Sequence, residues 1–241
     1  MKPLDKIYAL AALILILVAA AAVKSELKLT DARPELTDEQ WSRLKAGKQV
    51  SKVWNEGGTQ SAGRGYGIFK LSPGLMWKAI CSFELYDKFI KRTTVSVLVD
   101  EKTRDQILKD NLQDADEVEK LFQEMKPGCQ RKDSGEKWTV YSYQRNELPW
   151  PVSDRWVLLE ITHDDKQMRQ TWKRLAGNIK QDFGYWQLYP LENGQTLGET
   201  EIHLDANIPA TRLLTDYALA VSFPATYQSF EKIAEHLANK K

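Results

Sequence analysis

The sequence predicts an α+β fold, with an antiparallel β-sheet curved around a long C-terminal helix. Two observations predict it. From Trp138 to Leu204 the chain runs in five alternating apolar–polar segments separated by turn signals. Beyond Asn207 an apolar stripe continues at helical spacing through Leu213, Leu214, Tyr217 and Val221 to Phe230 and Leu237. The chain has 241 residues, and one domain accounts for them past the leader more economically than two.

The N-terminal element is a targeting segment. Lys2 and Lys6 precede an unbroken apolar run from Ile7 to Val23, and Ala20–Ala22 give a small-residue exit. Residues 1–22 read as a secretory signal peptide. The alternative is an uncleaved membrane anchor through residues 7–23, at the short limit for spanning a bilayer. The predicted location is exported, periplasmic or extracellular, or membrane-anchored if the leader stays.

Residues 23–47 read as a linker and a short helix. Thr37 and Gln40 form a capping box, Trp41 and Leu44 share a face, and Gly47 ends the turn. The main domain is then 48–241. Its glycine-rich stretch 55–67 reads as a loop or strand-turn, and Ile68–Leu71 as a short strand. Ser72-Pro73 opens a helix whose Met76, Ala79, Ile80 and Phe83 share one face. Residues 93–99 form a strand with Val95, Val97 and Val99 in phase. Residues 101–137 form a charged insertion holding one surface helix, marked by Val118, Leu121, Phe122 and Met125 and ending near Pro127-Gly128. Strands follow at 138–146, 155–163, 168–175, 184–190 and 196–204, the last two joined by an Asn193-Gly194 hairpin turn. Asn207 and Pro209 open the last helix, and Pro224 is expected to kink or break it around Phe223.

Composition narrows the function. Lys plus Arg is 34 and Asp plus Glu is 33, a net charge of +1. No nucleic-acid binder with so little positive field is expected. Without residues 1–22 the charges balance, so nothing pulls the chain toward anionic lipid. With 2 Cys and 3 His, a disulfide-dense scaffold and a Cys/His metal site are excluded. Cys81 and Cys129 could bond in an exported protein, but spacing cannot say whether the sulfurs meet. The 8 Trp suit the walls of an apolar ligand site.

Alternation sorts the side chains. Arg155 is in phase with Val157 and Leu159, and an inward Arg needs a ligand head group, a carbonyl or a carboxylate. It is either a polar anchor for an amphipathic ligand or a structural ion pair with Asp154 or Glu147. Trp172 goes with Met168, Trp186 with Leu188, and Thr200 with Ile202 and Leu204. With Leu213, Tyr217 and Val221 of the helix, these line one cavity or pack one filled core. His163, beside Asp164 and Asp165, reads as a solvated turn. His203, in phase with Glu199 and Glu201, reads as exposed, and His236 suits a helix C-terminus. No nucleophile elbow, phosphate loop, dinucleotide fingerprint, His-Glu-x-x-His or Cys-x-x-Cys is present. No catalytic residue, metal or cofactor is therefore predicted.

Pro149-Trp150-Pro151-Val152-Ser153-Asp154-Arg155-Trp156, leading into a strand, resembles the START-like superfamily. This superfamily includes START lipid-transfer domains and the polyketide cyclase/dehydrase group. Gly184-Tyr185-Trp186-Gln187-Leu188-Tyr189-Pro190 is similar to the family's Gly-x-Trp strand, and Ile208-Pro209 opening a long helix is similar too. The resemblance covers about residues 60–238. The charged insertion departs from the pattern. The resemblance implies a helix-grip fold with an internal cavity that binds, and transfers, a lipid or other hydrophobic small molecule. It also implies transient membrane contact and a monomer. Two other classes stay open. One is a cyclase/aromatase-type enzyme, which would need an inward acid/base pair from Arg155, Tyr217 and Tyr141 or Tyr143. The other is a ligand-free interaction module.

Overall fold

The structure is a computed structural model and describes residues 33–129, 132–148, 153–207 and 212–240. The leader, Pro149–Val152 and Ile208-Pro209 lie outside the described residues. So do the side chains of Leu213, Tyr217 and Val221, whose backbone is helical.

Helix α1 (Asp38–Lys45) has the expected capping box. Thr37 Oγ accepts from the Gln40 N–H at 3.2 Å, and Gln40 Oε1 accepts from the Thr37 N–H at 2.8 Å. Its buried Leu44 packs with Val50, Tyr189 and Leu197, so α1 is docked on the sheet. Of the two readings of the glycine-rich stretch, the structure has the strand-turn. It lies inside a long hairpin of β1 (Val50–Gly57) and β2 (Gln60–Phe69). Gly58 and Thr59 make the turn after Gly57, the two glycines having φ of 55° and 116°.

Helix α2 (Pro73–Ile80) buries Met76, Trp77, Ala79 and Ile80 and ends at Cys81. A 3₁₀ turn (Phe83–Leu85) and α3 (Tyr86–Phe89) lead into β3 (Thr93–Val99). The insertion holds two helices, not one: α4 (Glu101–Asp110) and α5 (Ala115–Met125). Asp100 caps α4 by accepting from Thr103 N–H at 2.8 Å. This helix buries only Thr103 and Ile107, too short an apolar stripe to read as a period.

Strands β4 (Lys132–Ser134), β5 (Lys137–Asn146), β6 (Arg155–Asp164), β7 (Arg169–Gly177), β8 (Gln181–Pro190) and β9 (Thr196–Asp205) follow. The sheet order is β1-β2-β9-β8-β7-β6-β5-β3, antiparallel throughout, with β4 on β5. Helix α6 (Arg212–Asn239) ends the chain. This is the α+β helix-grip arrangement expected from the sequence.

The two faces of the sheet have different covers. The outer face of β3, β5 and β6 is covered by the insertion, where Ile107 and Val118 pack with Tyr141, Tyr143, Trp156 and Leu158. Arg145 fastens it, bonding Asp116 at 2.7 Å, Glu119 at 3.2 Å and Asp154 at 2.9 Å. The inner face meets α2 and α6. Tyr227, Phe230, Ile233 and Ala234 pack with Trp186, Leu188, Met76 and Ile80.

Helix α6 runs through Pro224 as one helix, so of the expected kink or break there is no break. The β2 glycines explain what holds it. A Cβ at Gly63 or Gly65 would lie 2.9 or 2.7 Å from the Phe223 ring, and one at Gly67 would lie 2.5 Å from Tyr227. Three missing side chains thus let both sides of Pro224 seat directly on the strand. The Tyr227 hydroxyl lies 2.9 Å from the carbonyl oxygens of Gly65 and Gly198.

Candidate functional site

Register divides the inner face into two halves. One half carries Trp138, His163, Gln170, Trp186 and Thr200 as lateral neighbours across β5, β6, β7, β8 and β9. It is filled by aromatic rings. Trp186 lies 5.2 Å from both Tyr227 and Phe230, ring centre to ring centre. The other half carries Ser96, Leu98, Ser142, Gln144, Val157, Leu159, Trp172, Arg174, Asp182, Ile202 and Leu204. Here Leu98, Gln144, Trp172, Arg174, Asp182, Ile202 and Leu204 keep accessible surface although they face inward. Leu98, Trp172 and Leu204 form an apolar wall that packs against the main core and keeps part of its surface accessible.

Polar groups interrupt that wall. Gly184 has no side chain, so the Trp172 indole crosses it, within 2.5 Å of where a Cβ would stand. The indole N–H then donates to Asp182 Oδ1 at 2.8 Å. Burial pushes the Asp182 carboxyl up to about 6, against the Trp172 hydrogen bond and the Arg174 charge, which both favour the anion. Burial also lowers the Arg174 guanidinium, and Asp182 opposes that. Arg174 Nη2 donates to the Gly177 carbonyl at 2.7 Å. Its buried Nε and the buried Ser96 Oγ have no hydrogen-bond partner among the described residues. Buried polar atoms are almost always satisfied, so each calls for a partner such as water or a ligand, as does Gln170 Oε1 on the packed half.

The sequence-predicted site residues divide between the halves. Trp172 and Ile202 lie on the open half and keep accessible surface, while Val157 and Leu159, on the same half, are buried in the main core. Trp186, Leu188 and Thr200 belong instead to the packed half, where Thr200 donates to the Tyr185 carbonyl at 3.0 Å. Arg155 faces inward and is held by carbonyls, one of the partners expected for it, and not by an ion pair with Asp154 or Glu147. Nε donates to Ala206 at 2.7 Å, Nη1 to Ser153 at 2.9 Å and Nη2 to Asn207 at 3.1 Å. It ties the start of β6 to the end of β9. The Asp154 carboxylate pairs with Arg145. Tyr141 and Tyr143 face the insertion, on the outer side.

Sequence reasoning missed Arg174, Asp182 and Ser96. Alternation from Trp172 gives Arg174, and from Trp186 gives Asp182 two residues beyond Gly184. Two histidine readings are corrected. His163 is 0% exposed, stacked on Trp138 at 3.6 Å with Trp77 and Phe83 edge-on. His203 is 5% exposed, stacked on Phe183 at 4.3 Å. Both were hidden because a polar residue in a strand reads as outward and wet, and neither face here is wet. No disulfide joins Cys81 and Cys129. No group of three or more His, Cys, Asp or Glu among the described residues could hold a metal ion. No described helix is long and apolar enough to cross a membrane.

No protein-family model matches the sequence, and no curated protein matches it. Solved structures do. A STAR-related lipid transfer protein from Xanthomonas axonopodis is 16% identical, with a TM-score of 0.54. The match covers 78% of this chain and 93% of that one. TTHA0849 from Thermus thermophilus is 13% identical, with a TM-score of 0.52, over 74% of this chain and 98% of that one. The fold is START-like.

Proposed function

We propose that the protein binds, and transfers, a hydrophobic or amphipathic small molecule, lipid-like in character, between the open half of the inner face and α6. The observation that carries this reading is the pair of orphan polar atoms, Ser96 Oγ and Arg174 Nε, beside the partly accessible apolar groups Leu98, Trp172, Ile202 and Leu204. Apolar surface supplies the binding energy, at roughly 25 cal/mol per Å² removed from water. The polar atoms set orientation. Arg174 and Asp182 present a donor and an acceptor that no ion pair joins among the described residues. A neutral head group that both gives and takes hydrogen bonds, such as a hydroxyl or an amide, suits them without leaving a charge uncompensated. The apolar leader supports an exported setting, periplasmic or extracellular, or a tether through residues 7–23. The carrier would act as a monomer with transient membrane contact and no nucleic acid.

A fluorescent fatty acyl probe tests the reading. The wild type should bind it, and Arg174→Met should weaken binding about tenfold, the loss of roughly 1.4 kcal/mol. A wild type that binds no acyl probe, alcohol or amide of any chain length would overturn it. The cyclase-type reading rests on Asp182 alone, the one described carboxyl on that wall with a value near 6. Recovery of the bound molecule chemically unchanged separates a carrier from an enzyme.

A further inference from the structure

On the opposite, outer face of the same strands, His203 is held between two carboxylates. Nδ1 lies 2.8 Å from Glu56 Oε1 on β1, and Nε2 lies 2.9 Å from Glu201 Oε1 on β9. A neutral imidazole has one N–H and one lone pair, so only the imidazolium can donate to both. The ring lies flat on Phe183, 4.3 Å away, and edge-on to Trp54. Around it stand Lys52 and Glu56 of β1, Arg64 and Tyr66 of β2, Tyr185 of β8, and Glu199, Glu201 and Asp205 of β9. Arg64 pairs with Glu201 and approaches Glu199 at 3.8 Å. The three tyrosines Tyr66, Tyr185 and Tyr189 all donate to Glu199. Glu199 is thus occupied, and Glu56 and Glu201 are the carboxylates His203 serves.

We propose that His203 is a protonation-dependent latch, fastening the β1–β2 hairpin to β9 and so holding the strand on which α6 sits. β2 is itself paired with β9 from Ser61 to Phe69, and the His203–Glu56 bond reaches past it to the edge strand β1. At its tip Thr59 donates to Asp205 Oδ2 at 2.8 Å. On its inner face Gly63 and Gly65 receive Phe223, immediately before Pro224. When the ring loses its proton, one nitrogen turns a lone pair toward a carboxylate. The attraction between Glu56 and β9 becomes a repulsion, and the edge hairpin loosens under the middle of α6.

The direction follows from the surroundings. Burial disfavours the charged ring, but the hydrogen bonds to Glu201 and Glu56 outweigh it and raise its pKa. Burial likewise disfavours the Glu201 carboxylate, and His203 and Arg64 outweigh that, so its pKa is lowered. The latch is therefore closed from the acid side, where Glu201 is still ionised, through the ordinary histidine range. It opens as pH rises through the raised His203 value. The consequence for ligand exchange rests on the carrier reading, but the latch itself does not.

Two readouts on the full chain test it without any ligand. In NMR titration the His203 ring should titrate above the ordinary histidine value of about 6.5. Across that same step, hydrogen-exchange protection of β1 amides should fall at least about tenfold relative to β5–β6 amides. His203→Gln and Glu56→Gln should each abolish the step. A ring titrating at or below the ordinary value overturns the proposal. So does β1 protection that falls in parallel with β5–β6 in the wild type.

Discussion

The Trp172 indole N–H donates to Asp182 at 2.8 Å, reaching it across Gly184. This bond sets a large aromatic surface and a carboxyl side by side on the inner wall. It also holds the carboxyl where burial dominates its chemistry, which makes Asp182 a sensitive probe of that wall.

Replacing Asp182 by Asn should keep the Trp172 bond and remove the buried charge. The folded carboxyl is raised to about 6, so the fold favours its protonated form. Between the unfolded value and about 6 the folded state binds the extra proton, and wild-type stability falls as pH rises through that window. Above it the charged form persists at a cost. Asp182→Asn should stabilise the protein by about 1–3 kcal/mol at pH near 7–8 and by almost nothing near pH 4. Urea unfolding at both pH values checks this.

Filling the two halves of the inner face should have different consequences. Thr200 is buried in the packed half, so Thr200→Trp should destabilise by about 1–3 kcal/mol or more. Leu204 keeps accessible surface beside Asp182. Leu204→Trp should leave the melting temperature close to wild type and abolish acyl-probe binding. Thermal melts with a binding titration of each variant decide between them.

Arg155 should behave as a fastener. Arg155→Met strands the carbonyls of Ser153, Ala206 and Asn207 and should cost about 2–4 kcal/mol. Probe affinity of the folded fraction should stay within about twofold of wild type, a shift well under 1 kcal/mol. Arg174→Met should show the reverse pattern, measured by the same two assays.

The seat of α6 predicts a further effect. A methyl group at Gly67 would stand 2.5 Å from the Tyr227 ring, a buried side chain with no room to retreat. Gly67→Ala should lower stability by about 1–3 kcal/mol and reduce exchange protection around Tyr227.

Much of this architecture was legible in the sequence. The strands from Trp138 to Leu204 alternate in sequence, and alternation gave their bounds to within a few residues although β6, β8 and β9 are buried on both faces. The strand-turn at 55–67 was legible only as an alternative to a loop, and the bounds of β1 and β2 were not, because Gly63, Gly65 and Gly67 contribute no apolar period although they lie on the core face. The second insertion helix was hidden for a related reason, its buried surface being little more than Ile107. At the candidate site, alternation put Val157, Leu159, Trp172 and Ile202 on the inner face. It could not say that Trp186 would meet Tyr227 and Phe230, since that depends on where α6 lands. Arg174 and Asp182 were passed over because charge in a strand usually faces water.

The central claim is that the open half of the inner face holds a ligand. Native mass spectrometry of the gently purified wild type, beside Leu204→Trp, tests it most directly. Wild-type protein should carry a non-covalent adduct of lipid size, released on organic extraction, and the Leu204→Trp variant should be folded and bare. Wild-type protein that is bare after purification and stays bare when offered acyl chains, alcohols and amides would contradict it.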